Sequence, residues 1–299
     1  MKSLAISLLL TSLAWAGGSS GTLSTYTTTW NGLTRTYGVY VPNKLPANPP
    51  LVFVLHPTVP NSTPSTPPPY FNDGPWEKSA VQNQFIVVFP LSTFNTRASS
   101  WYWDSFFLDF SFPVLPDDAG FLRSLVQNLT LQYNADPTRI FFTGMSSGAF
   151  MTHMMGATSS DLIAAVVAVE GQIEAEPPNA TFVLPTLVAP VSVLDLQGDA
   201  DTTVPYCGGP KTLWNEKLVI ASLDQTADYW LESNGCNTEG LPQLCTNGMP
   251  TPDVQGLDVA GCNGGTEVEV VRRDGVGHVY GGVPIVNQSA SFMLTHPKQ

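Results

Sequence analysis

The pentapeptide Gly144-Met145-Ser146-Ser147-Gly148 sets the tightest limit on how this chain can fold. The apolar, β-prone run Ile140-Phe141-Phe142-Thr143 precedes it, and a helix-compatible run over 147–155 follows. G-x-S-x-G between a strand and a helix is the setting of a nucleophile elbow. The turn is so tight that bulky neighbours of the serine would clash. Such a turn holds the Ser146 hydroxyl at the carboxyl end of a sheet, beside the N–H groups and partial positive charge of a helix start. Five residues alone are a weak signal; the flanking strand and helix give them weight.

The remaining chain supplies strands and helices in alternation. Residues 25–30 and 34–41 alternate in β fashion around Asn31-Gly32, a two-residue hairpin signal. Leu51–Leu55 is continuously apolar, as a strand buried on both faces requires, and it ends in His56-Pro57-Thr58. Six prolines between 57 and 69 exclude helix and central strand there. Pro75 suits the first turn of a helix, 85–89 reads as the next strand, and a loop carries Trp101, Tyr102 and Trp103. Asp117 and Asp118 suit a helix start, with the stripe Phe121, Leu122, Leu125, Val126, Leu129 and Tyr133 behind them. Further strands are expected at 164–169, 191–196 and 267–271, a helix at 223–233 stopped by Asn234-Gly235, and a last helix at the end. This pattern predicts an α/β fold: a mainly parallel sheet with an antiparallel N-terminal edge and helices on both faces.

Lys2, an apolar run over 4–13 and Ala14-Trp15-Ala16 form the pattern of a secretory signal peptide. The expected organisation is a leader at 1–16 and one catalytic domain at 17–299, exported to the extracellular space. Asp and Glu total 24 against 12 Lys and Arg, with no basic cluster, which argues against nucleic acid and anionic membrane as partners. Later apolar runs are too short to span a bilayer. Cys207, Cys236, Cys245 and Cys262 all fall in the last third, and an even count in an exported chain reads as two disulfides. Neither C-x-x-C nor H-E-x-x-H occurs, so no metal or other cofactor is expected. Asn61, Asn128, Asn179 and Asn287 head glycosylation sequons.

A serine hydroxyl needs a base to take its proton as it attacks. Among the four histidines, His278 lies in a glycine-rich loop after the last strand, where an imidazole can reach over the sheet. His153 reads as a packed helix residue, His296 as exposed near the terminus, and His56 as a residue that shapes a loop. The base needs a carboxylate to fix its tautomer. Asp195 falls inside a strand; Asp199 and Asp201 both fall on the loop after it, and spacing does not separate them. The chain order Ser, Asp, His is that of the α/β-hydrolases.

Taken together, the motifs resemble a family of secreted esterases that includes polyhydroxybutyrate depolymerases, feruloyl esterases and acetylxylan esterases. The resemblance runs from about residue 37 to 278. It is carried by Leu55-His56, Trp101-Tyr102-Trp103, Asp117-Asp118-Ala119-Gly120-Phe121, and Tyr133-Asn134-Ala135-Asp136-Pro137-Thr138-Arg139. It continues through Gly144 to Gly148, Gly198 to Tyr206, Asn234-Gly235-Cys236, Gly261-Cys262 and Gly277-His278. It implies an α/β-hydrolase fold and makes Asp201, three residues before Val204-Pro205-Tyr206, the acid. It also implies a Cys236–Cys262 bridge, which leaves Cys207 with Cys245, and oxyanion donors at the Thr58 and Ser147 backbone N–H groups. Trp101 and Trp103 read either as packing for a long loop or as substrate-binding residues, and the resemblance places Trp103 at the rim of a substrate cleft.

One departure matters. Pro57 stands where the family has glycine followed by cysteine, and a proline has no N–H to donate. Pro57 also forces His56 into an extended conformation, with an effect on where Thr58 lies. The implied activity is that of a secreted serine esterase acting on feruloyl or acetyl esters of plant cell-wall polysaccharide, with feruloyl first. A polyester depolymerase is the alternative. A hydrolase-like binding protein without activity is a third reading, opposed by the intact serine, aspartate and histidine.

Overall fold

The computed structural model describes residues 20–65, 67–69, 73–96, 98–105, 116–173, 175–176, 185–213 and 216–299. The expected leader at 1–16 and the sequon at Asn179 lie outside the described residues. Asn31 and Gly32, with φ of 47° and 78°, close a two-residue turn between β1 (Gly21–Trp30) and β2 (Leu33–Pro42). Positive φ at both central positions matches the right-handed twist of the two strands, which is why Asn-Gly is favoured there.

β3 (Leu51–Leu55), β4 (Ile86–Pro90), β5 (Ile140–Met145), β6 (Ala165–Val169) and β7 (Ser192–Gly198) follow in the chain. β8 (Gly256–Val259) and β9 (Val268–Arg273) complete a nine-stranded sheet in the order β1-β2-β4-β3-β5-β6-β7-β9-β8. The six strands from β4 to β9 run parallel; β2 and β8 run antiparallel to their inner neighbours. β8 is not anticipated by the sequence reading. Four residues with one buried side chain give too short a pattern to read, and β8 exists because β9 offers it an open edge.

Alternate residues of each strand feed opposite faces of the sheet. Leu51, Phe53 and Leu55 pack on one side with Phe142, under α2 (Asp118–Tyr133), α3 (Ser147–Thr158) and α4 (Leu223–Ser233). Phe53 and Phe142 stack with centroids 4.5 Å apart. Val52, Val54 and Phe141 pack on the other side against Trp76 of α1 (Asp73–Asn83) and Val286 and Met293 of α5 (Val283–Thr295). Burying one such side chain is worth roughly 1.5–3 kcal/mol, so the two faces together dominate the fold's stability. α2 starts where expected: the Asp117 carboxylate accepts from Gly120 N. α4 starts with a full capping box between Ser222 and Gln225.

The segment at Trp101 is more ordered than a plain loop, since Ser100–Tyr102 pairs with Thr93–Asn95. Both disulfides implied by the resemblance are present, Cys207–Cys245 and Cys236–Cys262. Among the described residues, no helix is long and apolar enough to cross a membrane. The sequon residues Asn61, Asn128 and Asn287 are exposed.

One polar pair is buried as deeply as the core. Arg35 of β2 meets Asp118 at 2.5 Å, with side chains 1% and 0% exposed. Arg35 also donates to Leu91 O, lies over the Phe121 ring, and shares Asp118 with the Asp104 N–H. The pair therefore ties the antiparallel edge, the start of α2 and the segment after Trp103 together. Removing one member strands the other without compensation. Arg35→Met should cost about 3–5 kcal/mol in urea unfolding, and adding Asp118→Leu should recover most of it. A single-variant loss below about 1 kcal/mol would show that water reaches the pair.

Candidate active site

Ser146 sits at the corner between β5 and α3 with φ 54° and ψ −122°. A non-glycine residue in that region costs on the order of 1–3 kcal/mol and persists only where its surroundings force it. Its N–H is held by Val169 O at 3.0 Å, and its own carbonyl accepts from Ala149 N and Phe150 N. Gly148 explains the small residue after the serine, because a Cβ there would run into the Leu55 and His56 carbonyls. The Ser146 hydroxyl has no hydrogen-bond partner among the described residues.

The neighbouring strand ends bring an acid and a base together. Asp201, three residues beyond β7, accepts a 2.6 Å hydrogen bond from His278 Nδ1, five residues beyond β9. Its other oxygen accepts from Thr203 N at 2.7 Å and Val204 N at 2.9 Å. Burial by itself would raise the Asp201 carboxyl. The His278 hydrogen bond and charge and the two backbone donors outweigh it and hold the carboxyl below its usual range. An ionised Asp201 keeps the proton on Nδ1 and leaves Nε2 of His278 as an acceptor, the tautomer a general base needs.

The competing residues separate cleanly. Asp199 takes Arg272 at 2.7 Å and the Gly275 N–H at 2.7 Å, so it shapes the loop leading to His278 and does not touch the imidazole. Asp195 lies inside β7, buried against His153 Nε2 at 3.0 Å, while Trp230 Nε1 donates to His153 Nδ1. His153 is thus a packed helix residue. His296 is half-buried, not exposed as expected, because it folds back onto Phe292 O and Glu267.

His56 is fully buried and holds the segment where the sequence departs at Pro57. Nε2 accepts from Ser92 N at 3.1 Å, so Nδ1 carries the proton and donates to Pro57 O at 2.7 Å. The Pro57–Thr58 peptide is trans, so pulling its C=O onto His56 turns the Thr58 N–H the opposite way. Val59 pairs with Trp101 through two backbone hydrogen bonds just beyond. Ser147, the second expected donor, opens α3, where backbone N–H groups lack helical partners.

Trp103 corrects an expectation. Its ring is fully buried, packs 5.1 Å from His56 and donates Nε1–H to His56 O at 2.9 Å. A ring without exposed surface offers no stacking face to a substrate, so Trp103 braces the His56 segment from behind. Trp101 is half-buried, edge-on to Phe94.

The sequence reading passed over Glu170, the residue after β6. It is fully buried at φ 53°, accepts from Gly198 N at 2.9 Å and pairs with Arg273 at 2.5 Å. The strand register that sets Glu170 level with Ser146 is a tertiary feature, and a lone glutamate after a strand carries no sequence signal of it. Glu170, Asp201 and His278 set one donor atom each within 4.8 Å of one another, a spacing open to a cation. Arg273 already supplies a fixed positive charge there, and that disfavours a second one.

Over structures, the chain is similar to a thermostable esterase with TM-score 0.59 and 15% identity, covering 93% of this chain and 64% of that one. The fold is that of the α/β-hydrolases. A second structural neighbour is an acetyl xylan esterase from Aspergillus awamori, with TM-score 0.50 and 18% identity over 87% of this chain and 93% of that one. In sequence, the chain is 33% identical over 137 residues to acetylxylan esterase A of Aspergillus awamori, covering 44% of the chain. The matched stretch spans 41% of that relative's length. No family model matches the chain.

Burial lowers the His56 ring to about 4, its hydrogen bond to Pro57 opposing and Arg35 adding slightly. The unfolded chain takes up this proton below about 6.5 and the folded one only near 4, so stability must fall as pH drops across that window. Between pH 7 and 4.5 wild type should lose about 2 kcal/mol more than His56→Gln in chemical unfolding. Equal losses would mean that His56 is reached by water.

Proposed function

We propose that the chain is a serine-type carboxylic ester hydrolase, exported from the cell. The observation that carries this reading is the 2.6 Å hydrogen bond between His278 and a buried, ionised Asp201 at the sheet end that bears the elbow serine. Ser146 Oγ attacks the ester carbonyl as His278 Nε2 takes its proton. The carbonyl oxygen becomes an oxyanion, met by the Ser147 and Thr58 N–H groups. Collapse of the tetrahedral adduct breaks the ester C–O bond, and His278 returns the proton to the departing alcohol. Water then repeats the cycle on the acyl-serine, releasing the acid and restoring Ser146.

For the substrate, the sequence similarity to acetylxylan esterases supports an ester on plant cell-wall polysaccharide. The N-terminal leader pattern and the two disulfides support an extracellular setting. With Trp103 buried, a preference for feruloyl over acetyl groups rests on Trp101 alone, and acetyl becomes the better-supported acyl group. Aromatic stacking on Trp101 would add roughly 0.5–1.5 kcal/mol, about two- to twelvefold in affinity.

Asp201→Asn should lower kcat by about 10⁴, since the imidazole would be left in the wrong tautomer. Asp199→Asn should cost far less, because an amide oxygen still accepts from Gly275. The opposite ranking in two folded variants would reassign the acid. For the acyl group, kcat/KM on acetylated xylan, methyl ferulate and polyhydroxybutyrate should be compared in wild type and Trp101→Ala. The expected outcome is turnover of acetylated xylan that the variant retains, with any ferulate activity reduced selectively. Turnover of the polyester alone would replace the cell-wall reading, and no turnover of any ester would favour a binding role.

A further inference from the structure

Behind Asp201 lies a second carboxyl group that ester cleavage as described does not use. Glu170 interrupts the turn after β6 in a left-handed conformation that a glycine or asparagine would adopt with less strain. Its N–H is fixed to Leu196 O of β7. One carboxyl oxygen accepts from Gly198 N, where the acid's strand ends; the other meets Arg273 Nη1, where the base's strand ends. Arg273 Nη1 in turn donates 2.8 Å to Val279 O, directly after His278. The carboxyl group therefore closes a ring of contacts through Gly198, Asp201, His278, Val279 and Arg273. The glycine at 198 is needed for this, as a Cβ there would strike Val276 O and come within 3.2 Å of Glu170 Oε1.

We infer that Glu170 is a positioning residue for the Asp201–His278 pair, and that its ionised form strengthens the pair's hold on the imidazolium formed during ester cleavage. The inference rests on the triad reading above. The charged groups facing Glu170 are Arg273 from β9, Asp201 from the loop after β7, and His278 beyond it; Tyr280, a buried phenol raised above its ordinary range, lies near Arg273. Burial pushes the Glu170 carboxyl up to about 8; the Gly198 N–H and Arg273 pull it down, and Asp201 adds to the rise. Below that pH Glu170 is neutral and its O–H can donate to the Asp201 carboxylate. Above it, a second negative charge stands near the imidazole, opposite the arriving proton, and the transition state gains more than the ground state.

The test compares kcat/KM for p-nitrophenyl acetate in wild type and Glu170→Gln from pH 6 to 10, with Ser146→Ala alongside. Glutamine keeps an acceptor for Gly198 N but cannot ionise. The ratio of wild type to Glu170→Gln should stay within about twofold at pH 6–7 and rise several-fold through about pH 8. A ratio that is constant or falls with pH overturns the inference, since a purely structural role would depress the variant equally at every pH. If Glu170→Gln does not fold, the His278 Cε1–H resonance of wild type decides: it should report a second inflection near pH 8, and its absence overturns the inference. Activity surviving in Ser146→Ala would instead remove the triad reading and this inference with it. Loss in Ser146→Ala with a flat ratio removes only the role of Glu170.

Discussion

Asp201 has to stay ionised while almost wholly withdrawn from water, and the carboxyl end of the sheet is built around that demand. An isolated carboxylate at 5% exposure would take up a proton to escape desolvation. Here it is met by His278 and by the Thr203 and Val204 N–H groups, with the Gln197 amide nearby at 3.4 Å. Three of these donors come from the strand end and loop that carry Asp201 itself. The fourth arrives from β9, and it is delivered only because Gly198 allows the His278 loop to pass against the end of β7. The charge is thus stabilised by the same close approach that orients His278.

The segment after β3 is organised by a different device. A proline at 57 removes one donor and restricts His56, and a chain relying on that segment must fix it by other means. His56 does so with both ring nitrogens and its carbonyl: Ser92 N, Pro57 O and Trp103 Nε1 hold it on three sides. The ring is neutral because it is buried and because protonation would turn the acceptor for Ser92 into a clashing donor. Trp103 contributes here as packing and as a donor. A residue type suited to binding a substrate ring has been taken up in holding backbone.

Much of the framework was legible from local pattern. Asn31-Gly32, the five-residue apolar run at Leu51–Leu55, the Asp117 cap and the stripe behind it each specify their own element through contacts within a few residues. The elbow serine was legible for the same reason. Glu170 was not, since a lone glutamate after a strand has no pattern, and the edge strand β8 is too short to show one. Trp103 was left between two readings, because a tryptophan that packs a loop and one that faces a substrate look alike in sequence.

By itself, then, the sequence determined the alternating elements, the serine at the β5–α3 corner and the pool of acids and bases at the strand ends, because periodicity and turn chemistry act between near neighbours. The choice within that pool belonged to the tertiary structure. Gly198 lies opposite Arg273 in the β7–β9 register, and Gln197 opposite Arg272. Successive residues of a strand face opposite sides of the sheet, so Arg272 reaches Asp199 and Arg273 reaches Glu170. That register, made between segments some 75 residues apart, is what leaves Asp201 to His278.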